Sequence, residues 1–168
     1  PEIKSLGVVG AGIMGSGIAG ASLRRDLPTV LCDANEAMLE KGARGAIEDS
    51  AYDRKRKGTD AALAVKRAGI LHTTSNLEAL SDCSLVVEAI TEDPRAKQEL
   101  YQKLEAILPE NAILASNTST IPIARLASGL KHPERFCGLH FFNPVRRMQL
   151  VEVIRGPKSS DETIAAAT

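Results

Sequence analysis

The sequence has no tryptophan, only 3% aromatic residues, and no excess of charge of either sign. Its 21 lysine and arginine residues balance 21 aspartate and glutamate residues, so the chain has no strong field to attract nucleic acid or an anionic membrane. No apolar run approaches the roughly 18 residues that a membrane helix needs. We therefore expect no nucleic-acid partner and no membrane span.

Cysteine is also scarce. The three cysteines, Cys32, Cys83 and Cys137, are far apart, lie in apolar runs and lack the C-x-x-C spacing of many metal and redox sites. This pattern is typical of reduced core residues, which favours a cytoplasmic protein with neither disulfides nor a bound metal. The short apolar opening has no basic flank and is part of the first motif, so we expect no targeting segment.

Strand-like and helical patterns alternate along the 168 residues. Seven short apolar segments are predicted as strands, at 3–9, 29–33, 69–73, 84–90, 112–116, 135–142 and 148–154. Helical patterns lie between them, the longest at 36–57 with Asn35 as its cap. Strands joined through helices predict a parallel sheet, but the last two strands are too close for a helical crossover and should pair antiparallel. The predicted fold is α/β: a Rossmann-type doubly wound, mostly parallel sheet with an antiparallel edge strand and a helical excursion between strands 2 and 3.

A glycine-rich turn follows the first strand. Gly10, Gly12 and Gly15 form G-x-G-x-x-G at a helix start, where they allow a tight turn, close approach of a pyrophosphate and close helix packing. Asp33 ends the second strand, where a carboxylate can bind the ribose hydroxyls and repel a 2′-phosphate. Asp33 could instead only cap the following turn. The combined pattern predicts a dinucleotide site that prefers NAD to NADP.

Two ionisable residues lie in the apolar segments of the last two strands. If these strands form a hairpin centred on Arg146, His140 lies opposite Glu152, which shares a face with apolar neighbours such as Leu150. A carboxylate can fix the tautomer of an imidazole and raise its basicity, which suits a catalytic base. The alternative is a histidine that is only a hydrogen-bonded core residue.

Four segments resemble one enzyme family. They read "GVVGAGIMGSGIA", "VVEAITEDPRAKQEL", "ILASNTSTIPI" and "HFFNPVRRMQLVEVIRG", and they are similar to the NAD-binding domain of the L-3-hydroxyacyl-CoA dehydrogenases. The last two are especially similar to the bacterial multifunctional enzymes of fatty acid oxidation. The resemblance covers nearly the whole chain, so we expect one NAD-binding domain over residues 1–168, without the family's helical C-terminal domain.

The resemblance implies specific roles for residues of this chain. His140 and Glu152 would form the catalytic pair, and Ser119 would bind the oxygen at C3 of the substrate. The contacts that it implies with NAD, besides the loop glycines, are Ile13, Met14, Asp33, Glu92, Lys97, Ser119 and Asn143. Glu92 and Lys97 could instead be only a surface pair at a helix start, and Ser119 only a turn residue.

The implied reaction is the NAD-dependent oxidation of L-3-hydroxyacyl-CoA to 3-oxoacyl-CoA in fatty acid β-oxidation, with acyl-CoA as the partner and a homodimer or larger complex as the assembly. The cationic run Arg54, Lys55, Arg56 and Lys57 could be a solvated helix end or a lip for the phosphates of CoA. The alternatives are a stand-alone 3-hydroxybutyryl-CoA dehydrogenase, a dehydrogenase of small sugar acids or hydroxy acids, and a non-catalytic dinucleotide-binding module.

Overall fold

The computed structural model describes residues 2–168. Its strands are β1 Leu6–Val9, β2 Thr29–Cys32, β3 Tyr52–Asp53, β4 Gly58–Thr59, β5 Leu71–Thr74, β6 Leu85–Glu88, β7 Ile113–Ser116, β8 Phe136–Phe141 and β9 Val151–Arg155. Its α-helices are α1 Ile13–Arg24, α2 Glu36–Ser50, α3 Ala61–Ala68, α4 Pro94–Ile107, α5 Ile123–Leu126 and α6 Asp161–Ala167. Short 3-10 turns lie at Leu77–Leu80 and Pro133–Arg135.

Seven strands form one sheet in the order β5-β2-β1-β6-β7-β8-β9, and β3 pairs with β4 outside it. Every pair in the large sheet is parallel except β8 with β9. This confirms the predicted fold class, including the antiparallel edge. The chain leaves β1 towards β2 on one side and returns to β6 on the other, so the strand order reverses between β1 and β6. Ligands of such folds bind at the carboxyl ends of the strands at this point.

Apolar side chains cover both faces of the sheet. All four residues of β1, of β6 and of β7 are buried, as their nearly continuous apolar runs predict for central parallel strands. Residues of α1 and α2 pack on one face, and residues of α4 and α5 pack on the other. The central strands are thus held between two helical layers, and their carboxyl ends carry the loops that form the site.

The helix predicted at 36–57 is wrong in its last third. It ends at Ser50, and the chain then forms the β3–β4 hairpin. The carboxylate of Asp53 accepts hydrogen bonds from the N–H groups of Lys55 and Arg56, at 2.7 and 3.3 Å, which stabilises a turn in place of helix. The helical excursion between β2 and β5 therefore consists of α2, this hairpin and α3.

All three cysteines are buried and unpaired, as the sequence predicts. Burial raises the pKa of Cys32 and of Cys83 to about 11, and the pKa of Cys137 to about 12. Very little thiolate is present at neutral pH, so these thiols are chemically inert core residues.

Among residues 2–168, no helix combines the length and the apolar character needed to cross a membrane.

Candidate functional site

The glycine turn between β1 and α1 has the geometry of a phosphate-binding loop. Gly10 has a φ of +102°, and a Cβ at Gly15 would lie 1.6 Å from the carbonyl oxygen of Gly10. A Cβ at Gly12 would meet nothing within 4 Å, so the space over this residue is open. No side chain caps α1, and its first turn carries no acidic residue. The first N–H groups of α1 can therefore bind an anion such as a pyrophosphate.

Asp33 joins the end of β2 to this turn. Its Oδ2 accepts a hydrogen bond of 2.7 Å from the N–H of Ala11, and its Oδ1 accepts one of 2.8 Å from the N–H of Asn35. Asp33 therefore does brace the following turn, as the simpler interpretation supposed, and it also fixes the glycine loop. Each carboxylate oxygen has two acceptor positions, so both oxygens can still accept a ribose hydroxyl.

Residues from four separate segments meet in a groove at the carboxyl ends of β6, β7 and β8, which we call the central groove. It is lined by Met14, Ala89, Ile90, Glu92, Lys97, Asn117, Ser119, His140, Phe141, Phe142 and Asn143. Six of these eleven are residues for which the sequence predicts a role in cofactor binding or catalysis. Gly10, Gly12, Ile13, Gly15, Asp33 and Glu152 are not in its lining. The first five belong to the glycine turn and the end of β2, and Glu152 lies behind His140.

His140 and Glu152 are cross-strand neighbours in the hairpin of β8 and β9, in the predicted register. The Nδ1 atom of His140 lies 2.8 Å from Oε2 of Glu152. In the tautomer that donates its Nδ1–H to Glu152, the other ring nitrogen is an acceptor. The ring of His140 also packs against that of Phe142, with centroids 4.5 Å apart. The pair thus has the geometry of an oriented base.

The environment of Glu152 differs from the one predicted. The side chain of His140 is 18% exposed, but that of Glu152 is 51% exposed. Leu150, on the same side of the strand pattern, is 60% exposed. The prediction that these two side chains are buried is wrong; Leu150 precedes β9, and on the face of Glu152 it is Ile154 that packs against the core. β9 is the edge strand of the sheet, and the described residues leave this face largely uncovered.

Glu92 connects the segment after β6 to the segment after β7. Its carboxylate accepts hydrogen bonds from the hydroxyl of Thr118 at 2.6 Å and from the N–H and hydroxyl of Ser119, both at 3.3 Å. Partial burial alone would raise the pKa of Glu92, but these hydrogen bonds and the charge of Lys97 hold that pKa below its ordinary value. Glu92 is therefore ionised at neutral pH and holds Ser119 at the groove.

Lys97 is not part of a surface pair, which was one of the alternatives. Its side chain is 2% exposed, and its Nζ lies 3.7 Å from Oε1 of Glu92. Its nearest acidic partner is Glu88, at the end of β6, which has a side-chain exposure of 0%. The sequence motifs assign no role to Glu88, although an acidic residue at the end of the apolar run "SLVV" indicates a buried carboxylate that needs a partner. The ion pair with Glu88, which lies beneath the central groove, thus holds Lys97, a residue predicted to contact NAD.

Cations from three segments form a second groove, which we call the basic groove. It is lined by Arg24, Tyr52, Arg54, Lys57, Arg146 and Arg147. An adjoining cleft shares Arg24, Arg54 and Arg146 and extends to Phe141, which also lines the central groove.

Only part of the cationic run 54–57 belongs to the basic groove. Arg54 and Lys57 line it, while Arg56 pairs with Asp53 and Asp60 at 3.7 and 3.5 Å. The guanidinium of Arg146 lies 4.3 Å from the centre of the Tyr52 ring. Arg146 and Arg147 come from the turn before β9, so the sequence alone did not group them with the run.

Comparison with known proteins gives a consistent result. Residues 5–168 match the family model described as 3-hydroxyacyl-CoA dehydrogenase, NAD binding domain. The chain is 44% identical over 167 residues to the fatty acid oxidation complex subunit alpha of Idiomarina loihiensis. That match covers 98% of this chain but 23% of the relative, so the chain spans about a quarter of the relative's length.

Solved structures give the same result. The 3-hydroxybutyryl-CoA dehydrogenase of Escherichia coli is 32% identical, with a TM-score of 0.91 over 99% of this chain and 35% of that one. The (S)-3-hydroxybutyryl-CoA dehydrogenase of Ralstonia eutropha is 38% identical, with a TM-score of 0.90 over 98% of this chain and 58% of that one. The glycine turn, the acid that follows β2 and the family match agree: the chain belongs to the family of NAD binding domains of 3-hydroxyacyl-CoA dehydrogenases.

Proposed function

We propose that this chain provides the cofactor site and the catalytic base of an enzyme that oxidises L-3-hydroxyacyl-CoA to 3-oxoacyl-CoA in fatty acid oxidation. The observation that carries the proposal is the 2.8 Å contact between His140 and Glu152 beside a groove that also contains Ser119 and Asn143. The glycine turn fits NAD because the space over Gly12 is open and the start of α1 is uncapped. When bound, NAD accepts the hydride that leaves C3 of the substrate.

His140 acts as the general base in this proposal. With its Nδ1–H donated to Glu152, its Nε2 accepts the proton of the 3-hydroxyl group, and the charge of Glu152 stabilises the imidazolium that forms. Ser119 binds the oxygen at C3: its N–H keeps the hydrogen bond to Glu92, while its hydroxyl turns from Glu92 to the substrate. Met14 and Asn143 line the same groove and position the nicotinamide.

Segments outside this chain are part of the proposal. The relative from Idiomarina loihiensis is more than four times as long as the matched region, which is 23% of it. We propose that a mainly helical domain completes the acyl pocket, covers the exposed face of β9 and supplies the contacts of a dimer or larger complex. Both Glu152 and Leu150 are accessible for such contacts.

A direct assay tests the proposed function. The natural full-length polypeptide that contains this chain is mixed with NAD and (S)-3-hydroxybutyryl-CoA, and with a long-chain analogue of it, and NADH formation is followed by absorbance. Formation of NADH with either substrate is the expected result, and the ratio of the two kcat/KM values gives the chain-length preference. NADH binding without turnover of either substrate would favour a non-catalytic dinucleotide-binding module.

We expect the site to bind NADH at least about tenfold more tightly than NADPH. The carboxylate of Asp33 would face the 2′-phosphate of NADPH, and about 1.4 kcal/mol of repulsion already gives a tenfold difference in Kd. Titration of the chain with each nucleotide by calorimetry measures this ratio. Asp33→Asn removes the charge and one of the two oxygens that accept the N–H groups of Ala11 and Asn35, so it should weaken NADH binding and lower the ratio of the Kd for NADPH to the Kd for NADH. Equal affinity of the unaltered chain for both nucleotides would contradict the role of Asp33.

The basic groove is proposed to hold the phosphates of CoA. Its cleft extends to Phe141, beside His140, so one extended ligand can reach both grooves. We expect Arg54→Ala and Arg147→Ala each to raise the KM for the CoA thioester about tenfold, because a hydrogen bond to a charged group contributes about 1.5–3 kcal/mol. The KM for the pantetheine thioester, which lacks the phosphoadenosine group, should not change. Arg125→Ala, an exposed arginine of α5 outside the groove, is the matched control. Equal losses with both thioesters would refute this role.

A further inference from the structure

A buried polar network lies under the central groove. Its four members are Glu88 at the end of β6, Lys97 and Tyr101 on α4, and Ser116 at the end of β7. None is more than 2% exposed. The proposed mechanism assigns no step to Glu88, Tyr101 or Ser116, and these three do not line the groove.

The carboxylate of Glu88 is surrounded by donors. Its Oε1 accepts hydrogen bonds from Nζ of Lys97 and, at 2.8 Å, from the N–H of Ile90. Its Oε2 accepts hydrogen bonds from the hydroxyl of Tyr101 at 2.6 Å and from the hydroxyl of Ser116 at 2.8 Å. Burial, and next the charge of Glu88, raise the pKa of Tyr101 well above its ordinary value, so this hydroxyl stays a donor. The acceptor capacity of the carboxylate is filled.

Stability alone does not explain such a network. Replacing a buried ion pair by apolar residues of similar volume is often neutral or stabilising, because removing two charges from water is costly. The rest of this layer is apolar: the ring of Tyr101 packs against Phe136 with centroids 5.0 Å apart, and Leu104 lies in the same cluster. Packing alone therefore does not require a carboxylate at this position.

Two routes lead from Glu88 to the segment that carries Ser119. The first passes through Nζ of Lys97, which is 3.7 Å from Oε1 of Glu92, and Glu92 accepts the hydrogen bonds of Ser119. The second passes through the hydroxyl of Ser116, which accepts a hydrogen bond of 3.2 Å from the N–H of Thr118. Both routes end at the segment after β7.

A third connection reaches the neighbour of His140. The carbonyl oxygen of Glu88 accepts a hydrogen bond of 2.9 Å from the N–H of Asn117. The side-chain oxygen of Asn117 in turn accepts a hydrogen bond of 2.9 Å from the N–H of Phe141. The end of β6 is thus connected both to Ser119 and to the strand position next to the base.

We propose that Glu88, with Tyr101 and Ser116, is a positioning device for the dehydrogenase reaction: it fixes the segments after β6 and β7 so that Ser119 and His140 converge on the oxygen at C3 of the substrate. This inference rests on the proposed function. Glu88, Tyr101 and Ser116 line no part of the central groove, and they act through Lys97, Glu92, Thr118 and Asn117. Its loss therefore lowers kcat more than cofactor affinity.

The test removes both donors to Oε2 and keeps the ion pair. In the natural full-length polypeptide, Tyr101→Phe combined with Ser116→Ala should lower kcat at saturating NAD and substrate at least about tenfold, since a misplacement of about 1 Å can cost about a hundredfold. The Kd for NADH should stay within about twofold of the unaltered value, because neither residue lines the groove. Leu104→Ala is the control: it damages the same core without touching Glu88, so it should lower Tm but leave kcat unchanged.

The Tm and the kcat of the double variant together distinguish a positioning role from a structural role. A double variant with a lower Tm and with kcat within twofold of the unaltered enzyme would make the network merely structural and overturn the inference. If the double variant does not fold, Tyr101→Phe alone decides, because the ring is retained: kcat should fall about threefold or more, and an unchanged kcat would overturn the inference. An unaltered polypeptide without dehydrogenase activity would instead refute the proposed function.

Discussion

Replacing His140 by glutamine is expected to lower kcat by about 10²- to 10⁴-fold, the usual contribution of a positioned general base. Glutamine has a similar reach, but it has no ring nitrogen that can take up a proton at neutral pH. The Kd for NADH should remain within about twofold of the unaltered value, because the glycine turn and Asp33, which are proposed to hold the pyrophosphate and ribose, follow other strands, β1 and β2. Steady-state rates of the full-length polypeptide and NADH titration measure the two quantities.

Two further variants define the role of the pair. Glu152→Gln keeps an acceptor for Nδ1–H but removes the charge that stabilises the imidazolium, and we expect kcat to fall about 10- to 100-fold. The chain also offers a matched control. His132 contacts Glu134 at 3.2 Å in a pair of the same composition, but this pair is on the surface and outside the central groove. His132→Gln should leave kcat unchanged. If His140→Gln reduces the affinity for NADH and the Tm but leaves kcat unchanged, His140 is a structural residue.

The sequence predicts the sheet well because each strand has a local signal. The central strands β1, β6 and β7 are buried on both faces and read as continuous apolar runs. The pairing of β8 with β9 follows from the short connection between them, which leaves no room for a crossover helix. The position of the connecting turn then sets the register that places His140 opposite Glu152.

The errors arise where contacts outside the local pattern decide the structure. The helical pattern of α2 continues to Lys57, but the hydrogen bonds of Asp53 to the next N–H groups favour a turn. The exposure of Glu152 depends on which residues pack on the edge strand. An alternating sequence pattern shows which residues share a face of a strand, but not whether that face is covered.

The sequence indicates single members of the network, Lys97 in a motif and Glu88 at the end of an apolar run, but not that they meet Tyr101 and Ser116. Glu88, Tyr101 and Ser116 are distant in sequence and meet only because β6, β7 and α4 are neighbours in the fold. The sequence identified six of the eleven residues that line the central groove, since those six belong to motifs. It did not identify the residues that support them from beneath, because their roles appear only in the packed structure.

Gly15→Ala is expected to abolish NADH binding, with Kd raised at least about a hundredfold, and to destabilise the chain. The added Cβ would lie 1.6 Å from the carbonyl oxygen of Gly10 and 3.4 Å from a methyl group of Val8. Backbone cannot yield as a flexible side chain does, so α1 must move away from β1 and its first N–H groups leave their positions. Overpacking of this kind costs about 1–3 kcal/mol. In a domain of this size each 1 kcal/mol lowers Tm by about 2–4 °C.

Gly12→Ala separates the two functions of the loop. A Cβ at Gly12 meets no protein atom within 4 Å, so Tm should change by less than about 1 °C. The methyl group would nevertheless occupy the space through which a pyrophosphate approaches the backbone, so the Kd for NADH should rise at least about tenfold. Gly58→Ala, whose Cβ would have only one neighbour, at 3.9 Å, is the control and should alter neither quantity. Thermal unfolding and NADH titration of the three variants measure both effects. If Gly12→Ala binds NADH as tightly as the unaltered chain, the pyrophosphate does not lie over this residue, and the glycine turn serves only the packing of α1 against β1.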